Sequence, residues 1–167
     1  DDALGTAVAI EGDTIVATVP RYPIVPADGP STPRRGFALN FARDEAGVWT
    51  EDAVLAPPPF TDPVSVDGGV DIEGETIAVG VPKDRSGQGV VYTYASDGPP
   101  DRPVTARLRK SGGGANLSLG RGVAIGGGKI LAGSPVSSAA YIFTEQGNPD
   151  RTDSSLFAPP WRTASTW

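Results

Sequence analysis

The chain has 167 residues, a net charge of −6 and a pI near 4.6, and it contains neither histidine nor cysteine. That length fits one domain, and the missing residue types exclude Ser-His-Asp and Cys-His catalysis, disulfides and thiolate metal sites. The acidic balance with scattered basic residues argues against nucleic acid as a partner, and no apolar run reaches the length of a membrane-spanning helix.

The chain opens at Asp1 without a charged-then-apolar signal segment, as a processed product or an excerpt would. The first elements lie in "VAIEGDTIVATVP" at 8–20. They read as a short strand, a Gly12-Asp13 turn, a second strand and a terminating Pro20, because proline cannot donate to a strand ladder. Residues 21–35, "RYPIVPADGPSTPRR", form an inserted loop. Its prolines lower the entropy cost of presenting it, and Tyr22, Arg34 and Arg35 are residue types that anchor interfaces. A third strand follows at 36–42, "GFALNFA", with Phe37, Leu39 and Phe41 alternating. A fourth, "VWTEDAVLA", spans 48–56.

The same order then recurs. "VDIEGETIAVGVP" at 70–82 has its turn at Gly74-Glu75 and its stop at Pro82. "GVVYTYA" at 89–95 supplies the alternating strand, and "PVTARLRK" at 103–110 the fourth. Asn116-Leu117-Ser118 is an N-glycosylation acceptor triplet. "VAIGGGKILAGSP" at 123–135 starts a third round, with Gly127-Gly128 as the turn and Pro135 as the stop. "AAYIFTE" at 139–145 and "SLFAPPWRT" at 155–163 complete it, and the terminal "APPWRTASTW" offers Trp161 and Trp167 as contact residues to another subunit or domain.

Aligned on Ile10, Ile72 and Ile125, the copies are 62 and 53 residues apart, the size of a propeller blade. Four strands per unit, three times, predict an all-β chain of about three four-stranded antiparallel blades of β-propeller type. The units are 1–62 with the 21–35 insertion, 63–116, and 117–167. The first two strands of each unit are apolar on both faces, as strands between neighbouring sheets must be. Ile10, Ile15, Ile72, Ile77, Ile125 and Ile130 are therefore expected to be buried at equivalent places. Glycine and proline interrupt every window long enough for a helix.

Residues 2–20, "DALGTAVAIEGDTIVATVP", together with "GVWTEDAVLA" at 47–56, resemble the FG-GAP repeat of integrin α propellers and of many surface proteins. Gly80-Val81-Pro82 and Gly133-Ser134-Pro135 are similar to that repeat's Gly-Ala-Pro ending, and the likeness spans roughly residues 2–145. The resemblance implies an extracellular or cell-surface, non-enzymatic structural or adhesion module that contacts other protein chains. Some integrin blades carry a calcium loop of alternating acids. "PKDRSGQG" at 82–89 lies where such a loop would be and offers only Asp84 and Ser86, so no metal and no cofactor is expected.

Three units leave an apolar face open at each end. Val8, Ile10 and Val16 are expected on one such face, and Tyr141 and Phe143 on the other. Further blades of the same polypeptide, another copy or a different subunit would cover them, making the chain part of a larger assembly. The alternative function is a carbohydrate-binding propeller with glycans as partners, which requires aromatic residues repeated in the loops, whereas these sit in strands. A paired-carboxylate enzyme needs two acids facing across a cleft, and the spacing of Asp13, Asp71, Glu75 and Asp84 does not suggest it.

Overall fold

The computed structural model describes residues 3–22, 35–58, 65–110, 116–144, 150–151 and 156–157. It is all-β. Sheet 1 joins β1 (Val8–Glu11), β2 (Thr14–Tyr22), β3 (Arg35–Arg43) and β4 (Trp49–Leu55) in that order. Sheet 2 joins β5 (Val70–Glu73), β6 (Thr76–Val81), β7 (Val90–Ala95) and β8 (Ala106–Leu108). Sheet 3 joins β9 (Val123–Gly126), β10 (Lys129–Ser134) and β11 (Ala139–Thr144). All these pairings are antiparallel.

Two short strands extend the edges. β13 (Leu156–Phe157) pairs with β11, while β12 (Asp150–Arg151) crosses to sheet 2 and runs parallel to β8. The sequence pattern does not announce that crossing. The only helical element among the described residues is one turn, α1 (Asp84–Gly87), in which Arg85 and Ser86 take left-handed φ of 51° and 57°.

The turns explain the register. Gly12, Gly74 and Gly127 each take φ of 54–57° at the first position of a two-residue hairpin loop, a conformation that costs other residues and not glycine. In the third hairpin Gly128 is also positive, at 70°, as the type I′ pattern requires.

Sheet 2 lies between the other two. One core joins Val16, Ala38 and Leu55 of sheet 1 to Ile72, Ile77, Val79, Tyr92 and Tyr94 of sheet 2. A second joins Ala78, Val91 and Leu108 on the opposite face of sheet 2 to Ile130, Ala132, Tyr141 and Phe143 of sheet 3. The middle strands β6 and β7 are therefore buried on both faces, whereas β10 alternates between exposed and buried.

This stacking corrects the expected core. Ile72, Ile77 and Ile130 are buried as read, but Ile15 and Ile125 are only half-buried and Ile10 is 67% exposed. Ile10 has the face that leans on a preceding sheet, and among the described residues no sheet precedes the first.

Polar groups stitch the sheets together. The Arg102 guanidinium, in the β7–β8 connection, is paired with the Asp52 carboxylate of β4 and donates to the Ser96 carbonyl at 2.6 Å. Asn40 of β3 donates to the same Asp52 carboxylate at 2.9 Å. At the hairpin end, Glu11 accepts the Gly74 amide at 2.7 Å, and Glu73 in turn accepts those of Gly127 at 2.9 Å and Gly128 at 3.2 Å. These backbone donors hold the Glu73 carboxyl below the usual carboxylate range.

Candidate functional site

Of the exposed large apolar residues among those described, Val48 and Val136 lie in strand connections, and Val8, Ile10, Trp49 and Leu131 lie on the strands of the two outer sheets. In sheet 1 the register places Ile10, Ile15 and Phe41 side by side, and Val8, Ala17, Leu39 and Val54 in the neighbouring row. Val8 is 64% exposed, and Ile15, Leu39, Phe41 and Val54 are half-buried. At the hairpin end Arg43 sits 5.7 Å from the Trp49 ring and pairs with Asp13 at 2.6 Å. In sheet 3 the outward row contains Ala124 and Leu131, the latter 41% exposed, with half-buried Ala140 and Ile142.

At one end of that outer face lies a shallow, open cavity of about 450 Å³ lined by Gly122, Gly133, Pro135, Ser138, Ala139 and Ala140, among others. Arg121 stands at its rim, donating to the Asp67 carbonyl at 3.0 Å, while Lys83 donates to the Asp67 carboxylate at 2.7 Å. The site is thus an apolar patch at each end of the stack, bordered by charge.

Two of the expected face residues are confirmed and three are corrected. Val8 and Ile10 are exposed, whereas Val16, Tyr141 and Phe143 are buried between sheets. Successive residues of a strand face opposite ways, so Val16 points to sheet 2 while its neighbour Ile15 points out. Tyr141 and Phe143 belong to the face of sheet 3 that leans on sheet 2. Leu4, Trp49 and Leu131 are exposed and Ile142 is half-buried, and none of them is singled out by the sequence, because the repeat pattern does not say which strand face is left without a neighbouring sheet.

The remaining candidates separate. Tyr22 and Arg35 pair across β2 and β3 at the root of the inserted loop, and nothing is described of their side chains. Arg34, Trp161 and Trp167 lie outside the described residues. Asn116 is exposed, takes a left-handed φ of 54° and lies against Gly87.

The carboxylates do not converge. Asp71 accepts the Ile125 amide at 2.7 Å, and Asp84, 2% exposed, takes the Tyr92 hydroxyl at 2.5 Å. Burial, and then that bond to Asp84, pushes the Tyr92 phenol well above its ordinary range, and burial does the same for Tyr94. Among the described residues no three acids gather as a metal site would need. No family model matches the chain, and no curated protein matches it.

Proposed function

We propose that this chain is a non-enzymatic structural or adhesion module of the extracellular space or cell surface, built as about three blades of a β-propeller of FG-GAP type. Its work is to contact other protein through the ends of its sheet stack. The observation that carries this reading is the pair of apolar outer faces, Val8 and Ile10 at one end and Leu131 and Ile142 at the other, beside two internal interfaces of the same kind. Exposed apolar patches of that sort mark sites that other protein covers. Three regularly repeated sheets support the propeller, since repeat units of this kind bury their faces only against neighbours.

The test is photo-cross-linking in cells that produce the protein, with a benzophenone side chain placed at Ile10 or at Ile142. Protein adducts at both positions, and none from a control at exposed Glu45, are expected. Equal labelling at all three positions, or adducts to lipid or glycan alone, would overturn the reading.

A further inference from the structure

The two internal joints share one device. Val66 and Leu119 occupy equivalent places ahead of the first strand of sheets 2 and 3, and both are fully buried. Each is a knob seated against a glycine of the preceding sheet. A Cβ on Gly36 would lie 2.3 Å from the Val66 nitrogen, and one on Gly89 would lie 2.3 Å from the Leu119 carbonyl oxygen. Beside Leu119, Gly120 presses into sheet 2 so closely that a Cβ on Gly80 would come within 1.9 Å of its carbonyl oxygen. Gly69 donates to that oxygen at 3.1 Å.

Moved forward by one repeat, the seat formed by Gly69, Gly80, Gly89, Val90 and Val91 becomes Gly122, Gly133, Ser138, Ala139 and Ala140. Those are lining residues of the 450 Å³ cavity on the outer face of sheet 3. Gly122 has open space where its side chain would be, and a Cβ on Gly133 would meet nothing nearer than 3.7 Å. Nothing within the described residues requires glycine at either place, although the same positions in sheet 2 do require it.

The matching knob is at the other end of the chain. Leu4, one repeat before Val66, is 56% exposed. Its segment has the conformation of the docked Leu119 segment, though not of the Val66 one: Ala3 and Gly5 take φ of 53° and 86°, against 53° and 87° for Ser118 and Gly120. The Gly5 amide donates to the Thr18 carbonyl at 2.9 Å, as Gly120 does to Gly133 at 2.9 Å.

We propose that two copies of this chain join head to tail, with Leu4-Gly5 of one copy seated in the Gly122–Gly133–Ala140 cavity of the next. The face formed by Ile10, Ile15, Leu39 and Phe41 then lies on Leu131 and Ile142, continuing the internal step from sheet to sheet. Such a contact uses different patches on its two sides and so builds rings or filaments rather than two-fold dimers. The joint lacks two internal features: Ser138 stands where Gly36 and Gly89 leave room for the knob's backbone, so Leu4 must sit further out than Val66 or Leu119 does, and Gly126 stands where Glu11 and Glu73 accept the next hairpin's amides. The contact between copies is accordingly weaker than the contacts within one, and it dissociates on dilution.

This inference rests on the protein-contact reading and fixes the partner. Leu4→Glu disables the knob, and Ala140→Arg fills the seat. Leu4 is exposed and Ala140 faces outward, so both variants fold, which cooperative thermal unfolding verifies. In sedimentation velocity the wild-type chain associates with rising concentration. Each variant alone stays at 17.1 kDa. An equimolar mixture forms a two-chain species of twice that mass and nothing larger, because only one good knob and one good seat remain. Variants that associate as the wild type does, a mixture that stays monomeric, or a wild type that is monomeric at every concentration would each overturn the proposal. The last outcome, combined with protein adducts in the cross-linking experiment, would leave the protein-contact reading standing with a different partner.

Discussion

Gly80 and Gly133 are the same residue of the repeat, and the stack predicts opposite responses to the same substitution. A methyl group on Gly80 would be placed 1.9 Å from the Gly120 carbonyl oxygen and 2.8 Å from its carbon, both main-chain atoms. The clash cannot be relieved by a side-chain rotation, so sheets 2 and 3 must separate by more than an ångström around a packed core. Overpacking of that kind costs about 1–3 kcal/mol, and this contact belongs at the upper end. For a chain of this length each kcal/mol lowers the unfolding midpoint by roughly 2–4 °C. Gly133→Ala meets its nearest atom at 3.7 Å. Its main effect is to restrict the unfolded chain, a gain of about 0.4–1 kcal/mol. Neither glycine has the left-handed φ that would add strain. Thermal unfolding of both variants, extrapolated to dilute monomer, should move in opposite directions. Equal destabilisation, or a Gly80→Ala loss below about 0.5 kcal/mol, would mean that sheet 3 does not press on sheet 2 as described.

Ile77→Ala, at a fully buried position, should cost about 2–5 kcal/mol in chemical denaturation, and Ile10→Ala at most about 0.5 kcal/mol in the monomer. Tyr92→Phe strips buried Asp84 of its 2.5 Å donor and should cost about 1–3 kcal/mol; no change would place that carboxylate in water. The Glu73 carboxyl titrates lower in the folded chain than its ordinary 4.5, so its stabilising contribution is present above that pH and fades as pH falls through the depressed folded value. The midpoint difference between wild type and Glu73→Gln should therefore shrink on acidification, and a difference that grew would reverse the assignment. Far-ultraviolet circular dichroism should show a strand spectrum with less than about a tenth helix, as a chain broken throughout by glycine and proline requires.

The three hairpins were legible because glycine at a two-residue turn and proline at a strand end are local, steric signals. The third strands were legible because Tyr92, Tyr94, Tyr141 and Phe143 alternate with smaller residues. Which face of a strand meets which sheet was not legible, since Val8, Ile10 and Val16 are equally apolar whichever neighbour they touch. Only the direction of stacking turns Ile10 outward and Val16 inward. The Glu11–Gly74 and Glu73–Gly127 bonds had no separate signature, because an acid beside a turn also serves turn chemistry. The crossing of β12 to sheet 2 depends on the path of the chain after β11, about which two strand residues say nothing.

On the proposed function, the stack ends in faces that another protein surface of the same kind covers. Multi-angle light scattering on the isolated 167-residue chain over a dilution series tests it most directly. A molar mass that rises above 17.1 kDa with concentration and returns to it on dilution is the predicted result. A chain that stays at 17.1 kDa throughout and unfolds as one cooperative unit would contradict the claim, because its outer faces would then need no cover.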